Sequence, residues 1–406
     1  MKALLGEWSP LSLALSCVLA GIALCLRADN HLLAAFETHG VAWLFAVSFM
    51  VGVAVLCAVV LVSAHDNERR RTSIGLGLTA GAAGTLFAAL LDAVPAFLSA
   101  AGSGGLLGFG LTCLLRQWGR YYRSFSFKGA LLNTALAFLG ASVLWFAMMF
   151  AGTPFIFCLG MLALVLCGSL PLLASDIVRA DEIRAGFRND ETARWTPLVT
   201  IWQVMRSGWA AVAGLMFNFF TIGLTFWPLA AGLDGGNVSL KPLSYLVIVV
   251  VVGLVVLRTR EVQGGVLEVF YRTTLPIAAA IMLASPFLDP VVPPAADLAF
   301  STFSYLGIAA CNVLGLVILF WSAKSSDVGF SKMFAAFCAS CAASMGAGMV
   351  VFQLLGRDAQ VVSLCLLAAY LAAMVLGEVR IFRKRIREKA EAPAGEELFD
   401  TVEGSD

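Results

Sequence analysis

Three asparagines lie inside apolar stretches of this chain, and their amide groups could hold a ligand there. Asn218 lies about ten residues into one stretch and Asn312 about fifteen residues into another, so at about 1.5 Å per helical residue both are near the middle of an apolar layer. Asn133 lies at a shallower depth in a third stretch. Such amides either bind a ligand or hydrogen-bond a neighbouring helix, and the sequence leaves both roles open.

An aromatic residue accompanies one of these amides. Tyr305 precedes Asn312 by two helical turns and therefore lies on the same helix face, nearer the outer side. An amide beside an aromatic ring, with no charge nearby, suits an uncharged or weakly polar molecule. The sequence therefore predicts a small-molecule ligand, of unknown identity, bound by Asn218, Asn312, Tyr305 and Asn133.

Signatures of catalysis and of metal binding are missing from the sequence. It contains no HExxH, phosphate-binding loop, Gly-x-Ser-x-Gly or dinucleotide-binding fingerprint in a suitable context. The histidines do not cluster, and the ten cysteines form no pair with metal-ligand spacing. We therefore expect no catalytic residue, no metal and no cofactor, and hence no enzyme.

The elements that position the amides are membrane helices. The chain has 406 residues, of which 60% are hydrophobic and only 13% charged, whereas soluble domains carry about 25% charged residues. A bilayer core about 30 Å thick is crossed by roughly 17–25 apolar helical residues, which predicts an all-α integral membrane protein with about twelve spans. The predicted spans are 10–26, 41–64, 74–91, 94–115, 129–151, 154–174, 208–231, 243–257, 273–288, 297–321, 332–355 and 361–379.

Basic residues predict how these spans are oriented in the lipid bilayer. With both termini in the cytoplasm, 24 of the 27 Lys and Arg residues fall on the cytoplasmic side and only Arg27, Lys241 and Arg357 on the other. Lys and Arg collect on the cytoplasmic side of membrane proteins, so the N and C termini are predicted to be cytoplasmic. The predicted location is the inner (cytoplasmic) cell membrane, with multiple passes.

The chain divides into two hydrophobic halves. Residues 1–174 form an N-terminal six-helix half and residues 208–380 a C-terminal one, which predicts a pseudo-symmetric 6+6 bundle. Between them, 175–207 is a charged cytoplasmic linker, in which the spacing of Trp195 and Trp202 indicates either an interfacial helix or the start of span seven. Residues 381–406 form a basic and then acidic tail, predicted to be disordered.

The loop between spans two and three resembles a known signature. In the major facilitator superfamily this loop reads Gly-x-x-x-Asp-Arg/Lys-x-Gly-Arg/Lys-Arg/Lys, and here Asp66, Arg70 and Arg71 match it, while both glycines and the first basic position do not. The resemblance implies the facilitator-like fold, in which spans one, four, seven and ten surround a central cavity. Asn218 and Asn312 would both face that cavity.

A second resemblance is to the membrane domain of LuxR-type helix-turn-helix regulators. The stretches GGLLGFGLTCLLRQWGRYYRSFSFKGALL and YRTTLPIAAAIMLASPF are similar to their glycine-rich fourth span and their ninth span. The resemblance covers about 1–387 and implies a twelve-helix sensing module. Only an acidic tail follows where a DNA-binding domain of some sixty residues would stand, so no direct nucleic-acid binding is expected.

Two functions follow from these observations. The first is a small-molecule sensing module in the membrane, for which a cytoplasmic protein partner would relay the signal. The alternative is a facilitator-like transporter of a neutral or weakly polar solute. No ionisable residue lies in the middle of a predicted span, which counts against a transporter coupled to protons.

Overall fold

The computed structural model describes residues 8–26, 31–63, 70–122, 125–178, 240–258 and 330–356, together with some of the helical residues in 212–224, 306–319 and 361–372. Every regular element in these ranges is helical. The helices are α1 (Leu15–Cys25), α2 (His31–Thr38), α3 (Ala42–Val62), α4 (Arg70–Ala89), α5 (Ala96–Tyr122), α6 (Phe127–Met148), α7 (Pro154–Val178), α8 (Leu240–Arg258) and α9 (Phe330–Leu355).

Six of the described helices are long and apolar enough to cross a membrane, which confirms the prediction of a multi-helix membrane protein. They are Ala42–Val62, Arg71–Ala89, Ala96–Tyr122, Phe127–Met148, Pro154–Ala174 and Phe330–Leu355. The first predicted span begins as a 3-10 turn, Pro10–Ala14, which continues as α1. Spans nine and twelve and the central linker lie wholly or mostly outside the described residues.

Two features of the N-terminal region differ from the sequence prediction. The short helix α2 follows the first span and packs against α3 and α7, with Leu32, Leu33 and Phe36 buried and the Phe36 ring stacked on Phe45 at 5.5 Å. Helix α5 continues to Tyr122, seven residues past the predicted end of its span. The polar side chains of this extension find partners inside the protein, so the helix does not need to end where its charges begin.

Glycines bring the backbones of α3 and α5 into direct contact, and Gly104 and Gly108 have the four-residue spacing of small residues that permits it. A Cβ atom added to Gly104 would overlap the carbonyl oxygen of Phe45, and one added to Gly108 would overlap that of Phe49. In return, Gly52 of α3 faces the carbonyl of Gly105. Any side chain at these positions would force the two helices apart.

The N-terminal helices meet the C-terminal helices along two seams. In one, α3 packs against α9, and in the other α6 packs against α8. The second seam belongs to a separate apolar cluster formed by α6, α8 and residues of 306–319. These two seams hold the first and last parts of the described chain together.

Burial differs between the two ends of the bundle. We call the end where α3, α5 and α8 finish and where α4, α6 and α9 begin the basic side, because it carries Arg71, Arg116, Arg120, Lys128, Arg258 and Lys332. On the basic side, Phe330, Met333 and Phe334 at the start of α9 are buried, and so are Gly129–Ala135 of α6. At the other end of α9, Val350, Leu354 and Leu355 are exposed. In α9, therefore, the basic-side end is buried and the opposite end is exposed.

Candidate functional site

Asn312 lies at the seam between α6 and α8, beside two aromatic rings. Its Nδ2 donates a hydrogen bond to the hydroxyl oxygen of Tyr245 in α8, at 3.0 Å. The Tyr245 ring stacks on Phe138 of α6, with ring centroids 5.7 Å apart and planes nearly parallel at 3°. Asn312 on one C-terminal helix is thus linked, through Tyr245 on a second C-terminal helix, to Phe138 of the N-terminal region.

The surroundings of this trio are apolar and well packed. Ala309, Ala310 and Val313 on the helix of Asn312 are buried, as are Ile248 and Val252 of α8. Asn312 itself is only half-buried, and the bond to Tyr245 is its one hydrogen bond within the described part of the chain. Its carbonyl Oδ1 is therefore an acceptor that a ligand could use.

Asn133 is fully buried and hydrogen-bonded to neighbouring protein groups. Its Oδ1 accepts from the Ser9 backbone N–H at 3.0 Å and from the Ser12 hydroxyl at 2.7 Å, while its Nδ2 donates to the Gly129 carbonyl at 2.7 Å. The Ser9 hydroxyl is also 3.0 Å from the hydroxyl of Tyr121. Asn133 thus ties the N-terminal 3-10 turn to α6, next to the end of α5.

The remaining predicted site residues are described only in part. Asn218, Tyr305 and Asp66 lie outside the described residues, as does the side chain of Arg70, the first residue of α4. Arg71 is exposed on the basic side. Of the four predicted ligand-binding residues, the structure describes Asn133 and Asn312, and their ligand-binding role stays a prediction.

A buried polar cluster joins α4 to α5 on the basic side. The Ser73 hydroxyl accepts from Arg116 Nη2 at 2.9 Å and from Gln117 Nε2 at 2.8 Å. The Cys113 thiol lies 3.2 Å from the Ser73 carbonyl oxygen. Arg116 and Gln117 are almost fully buried, and buried polar groups of this kind need hydrogen-bond partners. The cluster therefore fixes the register of α4 against α5.

The same end of α5 is joined to α7 and the N-terminal turn. Trp118 Nε1 donates to the Gly168 carbonyl at 2.9 Å, and the rings of Trp118 and Tyr121 meet edge-on at 5.5 Å. Sequence reasoning missed this cluster and the aromatic pair at Asn312. The run Arg116-Gln117-Trp118-Gly119-Arg120 was a usable signal, because aromatic and basic residues alternate there just past an apolar stretch.

The described residues contain no group of three or more His, Cys, Asp or Glu side chains that could hold a metal ion. The chemistry that the described side chains offer is instead hydrogen bonding and aromatic contact.

Comparison with known proteins identifies the fold. No family model matches the sequence, and no curated protein matches it. Among solved structures, the chain is similar to the proton:xylose symporter XylE of the major facilitator superfamily, bound to 6-bromo-6-deoxy-D-glucose. The match has 12% sequence identity and a TM-score of 0.58 and covers 92% of this chain and 95% of the symporter.

The chain therefore has a fold like that of the major facilitator superfamily, as the resemblance of the loop with Asp66, Arg70 and Arg71 implied. With its apolar helices, this fold indicates a multi-pass membrane protein. The resemblance to LuxR-type regulators finds no support in these comparisons.

Proposed function

We propose that this chain is a facilitator-like transporter that lets an uncharged or weakly polar solute cross the cytoplasmic membrane. The observation that carries the proposal is the amide oxygen of Asn312, which makes no hydrogen bond to the described residues and lies beside the Tyr245–Phe138 ring pair where α6 meets α8. The fold is also that of a transporter of known structure. No structural match of this kind favours the sensing module, so we propose transport rather than sensing.

The proposal includes the predicted architecture. Twelve spans, arranged as two six-helix halves with cytoplasmic termini, would place the Asn312 site between the halves. Lys and Arg are distributed as this topology requires. The partners are the bilayer and one small solute, and we propose neither nucleic-acid binding nor a cofactor.

Facilitated diffusion fits the described spans better than proton coupling does. The six long described spans contain no Asp or Glu, and proton-driven transporters use buried titratable groups. The buried cations Arg116, Arg120 and Lys332 lie at the basic side. We therefore propose that solute moves down its own gradient.

The test is uptake of labelled, uncharged solutes into proteoliposomes that contain the purified chain. Replacing Asn312 by Leu removes the amide, and one neutral hydrogen bond contributes about 0.5–1.5 kcal/mol, so uptake at low solute concentration should fall roughly two- to tenfold. The matched control is Val250→Ala on the exposed face of α8, which should not change uptake. Equal uptake by both variants and the parent chain would contradict the proposed site.

A further inference from the structure

The amide of Asn312 has hydrogen-bonding capacity left on both its nitrogen and its oxygen. A side-chain amide carries two N–H donors on the nitrogen and two acceptor lone pairs on the oxygen. One N–H of Asn312 is bonded to the hydroxyl of Tyr245 at 3.0 Å, and within the described part of the chain this is its one hydrogen bond. A second N–H and the oxygen Oδ1 are therefore available on one planar, half-buried group.

A donor and an acceptor on one planar group match a complementary amide edge. A molecule whose N–H lies next to its C=O can donate to Oδ1 of Asn312 and accept from Nδ2 at the same time. Asparagine forms two bonds of this kind with the donor and acceptor edge of adenine in DNA recognition. An ester, ketone or ether lacks the N–H and can make only one of the two bonds.

The rings beside Asn312 favour a flat solute. The rings of Tyr245 and Phe138 are parallel within 3° and their centroids are 5.7 Å apart. Two rings that enclose a third lie about 7 Å apart, which is twice the carbon contact distance of about 3.5 Å, so a solute ring lies beside this pair and not between its members. Phe138 is half-buried, and its ring offers a surface on which a flat ring can stack.

The helices around Asn312 favour a neutral solute. Ala309 and Val313 on its own helix and Ile248 of α8 are buried apolar side chains. Neither α6, α8 nor residues 306–319 contain an Asp or Glu that could pair with a cation. A carboxylate presents only acceptor oxygens and so leaves Oδ1 of Asn312 without a donor. A neutral amide edge avoids both costs.

We propose that the Asn312 site binds a flat, uncharged ring with an amide edge, either a carboxamide attached to an aromatic ring or an amide within the ring, as in pyrimidine bases. The passage of such molecules through the membrane at this site rests on the proposed function. An amide crosses lipid slowly because its polar group must leave water without a new partner. A protein that pairs the amide edge within its apolar seam removes that obstacle.

The test is equilibrium binding of two labelled amides to the full chain, purified in lipid nanodiscs and measured by scintillation proximity. Tritiated nicotinamide carries its amide outside the ring and tritiated uracil carries it within, so the two probes distinguish the two sources of the edge. Methyl nicotinate keeps the ring and the C=O but lacks the N–H, and as a competitor it should bind roughly two- to tenfold more weakly than nicotinamide. Nicotinate, a carboxylate, should also compete more weakly than nicotinamide.

Variants connect the binding to Asn312. Asn312→Leu removes both the donor and the acceptor, so affinity for the bound amide should fall by roughly four- to a hundredfold, the product of two such losses. Val250→Ala on the exposed face of α8 should bind as the parent chain does. Asn312→Ser, whose short hydroxyl cannot make the paired contact, takes the place of the leucine variant if that variant does not purify as a folded protein.

Three results would overturn the proposal. They are equal affinity for nicotinamide and its methyl ester or carboxylate, equal binding by the parent chain and a folded Asn312 variant, and no saturable binding of either labelled amide. Binding is measured without transport, so the two proposals fail separately. If an amide binds at Asn312 and is not taken up into proteoliposomes, the transport proposal is wrong and the ligand class stands. If uptake depends on Asn312 but only solutes without an amide edge are taken up, transport stands and the ligand class is wrong.

Discussion

Replacing Asn133 by Leu separates a structural from a ligand-binding role for this amide. The change removes the acceptor of the Ser9 N–H and of the Ser12 hydroxyl. Ser12 is also 2.6 Å from the Ser9 carbonyl oxygen, to which its hydroxyl can donate, so it keeps a partner. The Ser9 N–H is buried at the start of the chain's first turn and would lose the acceptor that Asn133 provides.

The size of the destabilisation follows from this contrast, because Ser12 keeps a hydrogen-bond partner and the Ser9 N–H loses the acceptor that Asn133 provides. A buried donor left without a partner costs about 1–3 kcal/mol, so Asn133→Leu should destabilise the protein by about that amount rather than by twice as much. Ser12→Ala should cost less than Asn133→Leu, because it removes a donor and leaves Asn133 Oδ1 bonded to Ser9. The coupling energy between two hydrogen-bonded side chains in a membrane protein is smaller than this cost, about 0.6 kcal/mol on average in double-mutant cycles. We expect a coupling energy of about that size between Ser12 and Asn133.

The assay is reversible unfolding of the purified protein in mixed micelles, with both single variants and the double variant. The double-mutant cycle gives the coupling between Ser12 and Asn133. A loss of stability of about 1–3 kcal/mol with unchanged uptake per folded molecule would establish the structural role. Unchanged stability together with weaker uptake would refute it and assign Asn133 to the solute.

Other changes test the packing and the topology. Gly108→Ala should destabilise the protein by about 1–3 kcal/mol in thermal unfolding, because its Cβ would overlap the Phe49 carbonyl oxygen, whereas Gly75→Ala, which meets no atom within 4 Å, should be neutral or stabilising. Trp118→Phe keeps an aromatic ring but removes the indole N–H that donates to Gly168 and part of the buried ring volume, so the melting temperature should fall by several degrees, reflecting a loss of at least about 1 kcal/mol. A cysteine placed at Asn189 in a chain without native cysteines should react with an impermeant reagent only from the cytoplasmic face, and labelling from the outer face alone would reverse the topology.

The described spans could be predicted from sequence because the bilayer imposes a length and an apolar composition on each helix. A close helix contact at Gly104 and Gly108 could be predicted from their spacing, but the sequence does not show that α3 is the partner helix. Helix α2 could not, because its eight residues are too few to show a period beside long apolar runs. The end of α5 was also missed, since the sequence does not show that Ser73 would accept hydrogen bonds from Arg116 and Gln117.

Asn133 and Asn312 show where sequence reasoning stops for the candidate site. Each is an amide in an apolar stretch, so the sequence alone does not tell which of the two binds a ligand and which bonds to neighbouring protein groups. Neighbouring elements decide the outcome, because the N-terminal turn brings two donors to Asn133, whereas α8 brings Asn312 one hydroxyl, that of Tyr245. An amide whose acceptor is already occupied must break those bonds to bind a solute, and the cost offsets what the solute supplies. Among the described residues, none donates a hydrogen bond to Asn312 Oδ1 in the half-buried seam, and on this physical ground Asn312 is the stronger candidate of the two.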